Sequence, residues 1–509
     1  MLSRATLESE GISSAAVLKF VNDLDQNGAH SFILARHGNV VSEGYWTPYT
    51  PKLPHVMFSV TKSFVSTAIG FAVQEGLVET DDLVIKYFEG KLSNPPCWNM
   101  RNLKVKNLLT MATGHEEEYK MLWNGYIFNE NDLNKDEDDV YKFLTSYIPT
   151  VPGSKFRYNN GATFILGAII KEVSGLSVIE YLKPRLFDPL KIEASADVNK
   201  YGLNFCASGL QLKTEDLVKF GLFYLNNGNW EGHQLLSPKW IKEATSNHID
   251  TSYETDENRS AGYGYQFWRM ADGDSYRADG MHGQFCIVVP RLDVVLAITA
   301  GTLDNKKIVR DAAELFANME STGKDLDDNA KLESKLKTLQ LALPEGKPLD
   351  FHPIPNTKFR LSENGFGFTH IQIESNILKI WQGKDSENPF VTTPVGHNKW
   401  TRSTNGKNPY GFSLLIGELG VSGAWVNGNL VIHIAIAETT SSYRFEFSFQ
   451  PHHLEVNIRR LPNNIPEFNI LGVEMPIRKR KLGLENMPSR GIVKESPPVN
   501  MRKYDVVRS

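Results

Sequence analysis

The stretch FSVTKSF, residues 58–64, carries a hydroxyl and an amine at a spacing suited to nucleophilic chemistry. Ser59 and Lys62 are three residues apart, so on a helix they lie on the same face. A serine hydroxyl becomes a good nucleophile when a nearby base takes its proton, and a lysine kept neutral by apolar surroundings can be that base. The pair therefore predicts a nucleophilic serine with a lysine as its base.

The tetrapeptide Ser-x-x-Lys is a weak signal by itself, because the chain also contains it at Ser321/Lys324 and at Ser334/Lys337. Those two copies lie in a polar stretch rich in Lys, Asp and Glu, which is typical of a solvated helix face. Ser59 instead precedes the apolar run FVSTAIGFAV, which predicts a core helix whose N-terminal amides point at the group that Ser59 attacks. This context favours the copy at Ser59.

The elements that must position this pair are strands flanking a block of helices. SFILARHGNVVSEGYW predicts a hairpin, and QFCIVVP with VVLAITAG predicts two buried antiparallel strands. AGYGYQFWRM predicts a further strand, and DGDSYRADGMHG a turn. Helices are predicted after Ser59, over VKNLLTMATGH up to Gly114, and from the segments that begin GATFILG, TEDLVKF and SPKW. The pattern predicts an α+β fold with an antiparallel sheet.

Changes in composition and in hydrophobic periodicity along the chain predict four regions. Residues 1–320 form the α+β domain, 321–349 a charged linker with one helix, 350–475 a separate all-β domain with period-two alternation, and 476–509 a basic tail. The acidic stretch from Glu116 to Asp139 is either a solvated surface insertion or a loop at the rim of the active site. The basic tail is either a solvated extension or a docking segment for an acidic partner.

Two further motifs could complete a site around Ser59. Tyr158-Asn159-Asn160 supplies a phenol and an amide, and Met281-His282-Gly283-Gln284 begins a buried strand. With Ser59 and Lys62 these resemble the Ser-x-x-Lys, Tyr-x-Asn and Lys/His-x-Gly motifs of the serine β-lactamase and penicillin-binding-protein superfamily. The resemblance extends over roughly residues 12 to 315 and includes the segments LLTMATGH, PGSKFRYNN, SGLQLKTEDLVKFGLFYLNNG and LLSPKW. Within the superfamily the chain resembles the class C β-lactamase-like hydrolases, which include esterases, D-amino-acid peptidases and amide hydrolases.

The resemblance implies a role for each matching residue. Ser59 is the acylated nucleophile, and Lys62 with Tyr158 is the pair that removes and returns its proton. The backbone amides of Ser59 and Gln284 form the oxyanion hole. Asn160 binds a substrate amide or carbonyl, although an asparagine before GATFILGAI also suits the N-cap of that helix. No cofactor and no metal are implied.

The third motif departs from the family pattern. Met281 occupies the position of the Lys or His, His282 follows it, and Gly283 keeps its place. Neighbouring residues of a strand point to opposite sides, so only one of Met281 and His282 can face the substrate. Without a cation there, recognition of a substrate carboxylate is weakened. The departure favours an ester or a neutral amide over penicillin-like substrates.

Composition excludes several other classes of protein. A formal net charge of -4 gives no electrostatic reason to expect nucleic acid as a partner. Three scattered cysteines, Cys97, Cys206 and Cys286, predict neither a disulfide framework nor a thiolate metal site, and His-Glu-x-x-His is absent. The N-terminus has no signal-peptide pattern and the chain has no run of 18 apolar residues, which predicts a cytoplasmic protein with no membrane span.

The sequence therefore predicts a serine hydrolase that cleaves a small ester or amide through an acyl-enzyme on Ser59. One alternative is a true β-lactamase, DD-peptidase or D-aminopeptidase. Another is a catalytically silent binding protein that keeps the same scaffold. The predicted partner is a small-molecule ester, amide or peptide substrate, and the sequence leaves the oligomeric state open.

Overall fold

The structure is a computed structural model of the 509-residue chain. It describes residues 1–92, 95–116, 139–196, 198–199, 201–320, 326–361, 367–383, 387–406, 415–449 and 454–461. The acidic stretch after residue 116, the Ser321/Lys324 tetrapeptide and the basic tail lie outside these residues. The described residues fall into two compact units, one built mainly from Met1–Leu341 and one that begins at Ala342.

The first unit is built on a six-stranded antiparallel sheet with the order β2-β1-β10-β9-β8-β7. Its strands are β1 (Ala29–Arg36), β2 (Asn39–Tyr45), β7 (Trp268–Arg269), β8 (Tyr276–Gly280), β9 (Gln284–Val289) and β10 (Val294–Ala300). Two small ladders join β3 (His55–Val56) to β4 (Gln211–Leu212), and β5 (Asn229–Trp230) to β6 (His233–Gln234). The predicted hairpin and the two predicted buried strands are confirmed as β1/β2 and β9/β10.

Helices of the first unit cover both faces of this sheet. They are α1 (Ser14–Gln26), α2 (Thr61–Gln74), α3 (Trp98–Arg101), α4 (Val105–Leu109), α5 (Asp139–Thr145), α6 (Asn160–Ser174), α7 (Val178–Leu182), α8 (Asp188–Leu190), α9 (Thr214–Leu225), α10 (Pro238–Thr245), α11 (Asn305–Asn318) and α12 (Leu326–Lys337). Within the described part of the chain, no single helix is both long enough and apolar enough to cross a membrane.

Alternation along β9 and β10 divides the core between the two faces of the sheet. Phe285, Ile287 and Leu296 belong to one apolar cluster with residues of α1 and α11. Cys286 and Val295 face the other way, against Gly221 of α9, where a Cβ would lie 2.8 Å from the Cys286 sulfur and 2.4 Å from Val295 Cγ1. Successive strand residues point to opposite faces, so a glycine here lets the helix backbone approach the sheet closely. Burial raises the pKa of the Cys286 thiol to about 12, as expected for a small buried side chain without chemistry.

The second unit consists of two antiparallel sheets that share an apolar core. One sheet has the order β11 (Phe359–Arg360), β12 (Phe368–Glu374), β13 (Ile377–Gln382), β14 (Val391–Pro394). The other has the order β15 (Thr401–Asn405), β16 (Gly417–Val426), β17 (Asn429–Ile436), β18 (Ser442–Phe449), β19 (Leu454–Leu461). Ile371 and Ile380 from the first sheet join Val421 and Ile432 from the second in one cluster. Period-two alternation thus marks strands with one face buried.

Several local predictions are wrong. Residues 276–280, predicted to be part of a turn, form β8, which pairs with both β7 and β9. The helix predicted up to Gly114 ends at Leu109, and the strand predicted over AGYGYQFWRM is limited to Trp268–Arg269. Pairing of β8 in a hairpin with β9 overrides the predicted turn, and a hydrogen bond between distant segments is seen at the end of α4. There Gln266 N donates to Leu109 O at 3.1 Å.

Candidate functional site

Ser59 lies in a turn of 3-10 helix, Phe58–Val60, which leads directly into α2. Lys62 is in the first turn of α2, and its Nζ donates to Ser59 Oγ at 2.8 Å and to the backbone oxygen of Ala207 at 2.7 Å. The lysine side chain is only 1% exposed, whereas Ser59 is half-buried. The predicted pair is therefore in contact, with the amine inside the protein and the hydroxyl at its surface.

Tyr158 joins this pair from a distant part of the chain. Its ring centroid is 5.0 Å from Lys62 Nζ, and the residue is half-buried. The ring also lies nearly parallel to Trp268, with an interplanar angle of 10° and 6.2 Å between centroids. A serine, a lysine and a tyrosine thus come together, as an acyl-transfer site of this type requires.

The loop after α4 fixes the backbone on both sides of Tyr158. Arg157 N donates to Met111 O at 2.8 Å, and Asn159 N contacts Met111 Sδ at 3.3 Å. The Asn159 amide donates to Thr113 Oγ1 at 3.4 Å. The part of LLTMATGH that follows α4 is therefore a loop that supports the backbone beside Tyr158, and it does not continue the helix.

The N-cap role considered for Asn160 is wrong. The N-cap of α6 is Asn159, whose side chain accepts a hydrogen bond from Gly161 N at 2.9 Å. Asn160 is the first residue of the helix and is 8% exposed. Its side chain is thus not required for capping, and its role toward a substrate stays a prediction.

Met281, His282 and Gly283 form the turn between β8 and β9 rather than the start of a strand. His282 is 2% exposed, its Nδ1 lies 3.2 Å from Thr302 O, and its ring meets Phe58 edge-on. Met281 is 37% exposed. The prediction that strand alternation decides which of Met281 and His282 faces the substrate does not apply, because both residues lie in the turn. His282 supports the backbone around the nucleophile, and Met281 is the more accessible residue.

Gln284 begins β9 beside the nucleophile turn. A Cβ at Gly280, its partner in the hairpin, would lie 2.4 Å from Met57 O, so the end of β8 runs against the chain just before Ser59. The Gln284 side chain donates to Ala300 O at 2.8 Å and to Met281 O at 3.2 Å. These bonds fix the start of the strand whose amide is the predicted second oxyanion donor.

Four residues other than glycine adopt left-handed backbone conformations in the segments that build the site. They are Phe58 (φ 47), Met111 (φ 57), Gln266 (φ 65) and His282 (φ 65). Such conformations cost about 1–3 kcal/mol each and persist when the surroundings dictate them. Phe58, an aromatic residue directly before the nucleophile, is the most unusual of them.

Gln266 is a structural residue that sequence reasoning missed. Its amide donates to Leu108 O at 3.0 Å and to Leu109 O at 2.8 Å, and its side-chain oxygen accepts from Thr163 Oγ1 at 2.7 Å. Its backbone oxygen accepts from Ser63 Oγ at 2.7 Å. One buried amide thus ties together α2, α4 and α6. The dense glycine and tyrosine pattern of GYGYQFW was the only sequence signal near it.

The described residues offer no cluster of ligands for a metal ion. Among the described residues, no group of three or more His, Cys, Asp or Glu side chains is placed to hold a metal ion. His115 is the residue directly before the acidic stretch. Its Nδ1 lies 2.9 Å from Thr113 Oγ1, and its Nε2 lies 2.9 Å from Ser146 Oγ. Burial lowers the pKa of His115 to about 4, so the imidazole is a neutral structural group.

Comparison with known proteins gives one family. The family model described as Beta-lactamase matches residues 19–318, more than half of the chain. A 6-aminohexanoate-dimer hydrolase of Paenarthrobacter ureafaciens is 24% identical over 54% of this chain and 72% of its own length. A lovastatin esterase of Penicillium rubens is 27% identical over 27% of this chain and 38% of its own. The octameric penicillin-binding protein homologue from Pyrococcus abyssi superposes with a TM-score of 0.48 and 16% identity, over 87% of this chain and 97% of its own.

Proposed function

Because the chain belongs to the Beta-lactamase family, whose fold it has, we propose that it is a serine hydrolase that cleaves a small ester or amide through an acyl-enzyme on Ser59. The observation that carries the proposal is the contact between Lys62 Nζ and Ser59 Oγ at 2.8 Å, with the Tyr158 ring 5.0 Å from the same amine. This is the hydrogen-bond reach that a nucleophile and its base require.

In the proposed reaction Ser59 Oγ attacks the carbonyl carbon while its proton passes to the pair formed by Lys62 and Tyr158. Collapse of the tetrahedral intermediate breaks the bond to the leaving alcohol or amine, which takes up that proton. Water then attacks the acyl-enzyme and gives a proton to the same pair. Collapse of the second tetrahedral intermediate breaks the bond to Ser59 Oγ, which takes that proton back from the pair, and the acid is released. Lysine and tyrosine share this titration, so the proton belongs to the pair rather than to one residue.

The burial of Lys62 supports its role in proton transfer. An amine that is 1% exposed is disfavoured in its charged form, and the Ala207 carbonyl at 2.7 Å holds it against Ser59. A neutral lysine can donate to Ala207 O and still present its lone pair to the serine hydroxyl. The developing oxyanion would be held by the amides of Ser59 and Gln284, and loss of one such donor typically costs about 3 kcal/mol.

An uncharged substrate fits the third motif best. The position that carries a Lys or His in the family motif is Met281, whose side chain is 37% exposed. A thioether there offers apolar contact and no charge for a carboxylate. The curated relatives include a dimer hydrolase and an esterase as well as two β-lactamases, so the preference for an uncharged substrate rests on Met281 and not on their names.

The first prediction tests the nucleophile. Ser59→Ala removes the only atom that can be acylated in this proposal, so both turnover of a chromogenic ester and labelling by an active-site acylating probe should vanish. Ser334→Ala is the matched control, because Ser334 has the same Ser-x-x-Lys context on the exposed face of α12. It should keep full activity and labelling. A Ser59→Ala protein that retains either signal would disprove the proposal.

The same assay separates the two alternatives. Turnover of nitrocefin at rates above those for esters, or a stable penicillin adduct on Ser59, would favour a β-lactamase or DD-peptidase. A chain that is folded, fails to label and turns over no ester or amide would favour a silent binding protein. We expect a burst of product with a chromogenic ester, because an acyl-enzyme accumulates when its hydrolysis is slow.

A further inference from the structure

A lysine amine and an arginine guanidinium each lie near one of two parallel aromatic rings at the candidate site. Lys62 Nζ lies 5.0 Å from the centroid of the Tyr158 ring, and Tyr158 is nearly parallel to Trp268 at 6.2 Å. The guanidinium carbon of Arg259 lies 5.2 Å from the centroid of Trp268. The indole of Trp268 therefore lies close to both the Tyr158 ring and the Arg259 guanidinium, and Arg259 interacts electrostatically with Tyr158.

Among the described residues, Arg259 forms one long ion pair, with Asp256, and no bidentate one. Within the described part of the chain its guanidinium makes no hydrogen bond, and its Nε is 3.9 Å from Asp256 Oδ2, beyond hydrogen-bond distance. The side chain is 40% exposed. Burial opposes its charge, but the negative charges around it, including Asp279 and an ionised Tyr158, raise the pKa of Arg259 overall. A guanidinium without a bidentate carboxylate partner has a stronger electrostatic effect on the other groups around it.

The other ionisable groups around Tyr158 do not supply the same effect. Asp279 of β8 is bound to Arg277, with 3.2 Å between Oδ2 and Nη2, and both side chains are buried, so their charges largely cancel. Burial raises the pKa of Tyr263 well above its usual range, which keeps that phenol neutral. Asp256 and Glu254 raise the pKa of Arg259, and as negative charges neither can favour a phenolate.

We propose that Arg259, whose guanidinium lies near the Trp268 ring, is a positioning residue that stabilises the phenolate form of Tyr158. The inference rests on the proposed function, because it concerns the tyrosine as a proton acceptor in that reaction. Trp268 lies nearly parallel to the tyrosine ring and close to the guanidinium. Arg259 supplies a positive charge near Tyr158, so Tyr158 accepts the serine proton at lower pH.

The test is the pH dependence of kcat/KM for p-nitrophenyl acetate, an uncharged ester, per acylatable active site. The acidic limb of this profile reports the base of the free enzyme. Arg259→Gln should move that limb to higher pH by about half a unit to one unit, as expected for one charge acting over roughly 10 Å at an effective dielectric constant of 20–40. Arg259→Lys keeps the charge, so its acidic limb should lie close to that of the unmodified protein.

Arg310→Gln is the matched control, since it removes one arginine charge from the exposed face of α11 and should leave the profile unchanged. An unmoved acidic limb in Arg259→Gln, or a uniform loss of rate at every pH, would overturn the inference while Ser59→Ala remains inactive. An effect confined to KM for an anionic ester, such as p-nitrophenyl hemisuccinate, would also overturn it, because Arg259 would then bind the substrate. Turnover that survives in Ser59→Ala would overturn the proposed function itself and this inference with it.

Discussion

Two buried lysines of the first unit have the same side chain and opposite surroundings. Lys219, on α9 and 7% exposed, forms an ion pair with the Asp216 carboxylate, with 2.7 Å between Nζ and Oδ1. Lys62, 1% exposed, has a serine hydroxyl and a backbone carbonyl as its hydrogen-bond acceptors. Neutral acceptors compensate a buried positive charge less than a carboxylate does. The partners, not the residue type, therefore decide which lysine can act as a base.

At the residue scale, Lys62→Met should slow acylation of Ser59 by about 100- to 10,000-fold, because it removes the group that accepts the serine proton. The measurement is the burst rate with a chromogenic ester. Lys219→Met serves as the control: it leaves Asp216 buried without its cation, so it should cost about 3 kcal/mol of stability. Its acylation rate per folded molecule should stay near that of the unmodified protein. Equal losses of acylation in the two variants would argue against a base role for Lys62.

At the scale of elements, the site depends on a junction of three helices. Ser59 and Lys62 are carried by α2 and its preceding turn, and the loop after α4 holds the backbone beside Tyr158. Gln266, from the segment before β7, bonds to α4 and α6 through its side chain and to α2 through its backbone. The relative positions of Ser59 and Tyr158 therefore depend on one buried residue, Gln266, which has no role in the proposed reaction.

Gln266→Leu should lower the free energy of unfolding by about 2–4 kcal/mol, because two carbonyl oxygens and the Thr163 hydroxyl lose their partner in a buried place. Urea unfolding measures the loss. The matched control is Gln234→Leu: Gln234 also donates to two backbone oxygens, those of Asn227 and Leu236, but is exposed on β6. Its change should cost less than about 0.5 kcal/mol. A similar small cost at Gln266 would contradict the role of the junction.

At the scale of the whole first unit, a pair of buried histidines links stability to pH. His30 of β1 and His55 of β3 lie 3.0 Å apart, Nδ1 to Nε2, and His30 stacks on Tyr49 at 3.8 Å. His55 Nδ1 also lies 3.0 Å from Val56 O, and the Thr439 backbone is a further hydrogen-bond partner of this ring. Burial lowers the pKa of His55 to about 4, and burial with the neighbouring histidines lowers that of His30 well below its usual range.

These shifts fix the sign of the pH dependence. An unfolded histidine titrates near pH 6.5, so below that pH the unfolded chain binds protons that the folded unit does not. Stability is therefore full above about pH 6.5 and falls as the pH drops toward 4, by about 1.4 kcal/mol per pH unit for each such histidine. Urea unfolding at a series of pH values measures this slope.

A histidine variant tests the assignment. His55→Asn should reduce the slope between pH 6 and 5 by about one proton, since one titrating group is lost. His233→Asn, at an exposed position on β6, should leave the slope unchanged. An identical slope in His55→Asn and the unmodified protein would show that other groups cause the acid sensitivity.

The sequence by itself determined the parts of this protein that depend on short-range spacing and periodicity. Ser59 and Lys62 could be paired because a helix places residues three apart on one face, and β1/β2 and β9/β10 could be predicted from their apolar patterns. Only the tertiary structure decided the rest. The cap at Asn159, the turn at Met281 and His282, and the stack of Arg259 on Trp268 beside Tyr158 depend on contacts between segments far apart in the chain. No local pattern encodes such contacts, because packing of the whole unit selects them.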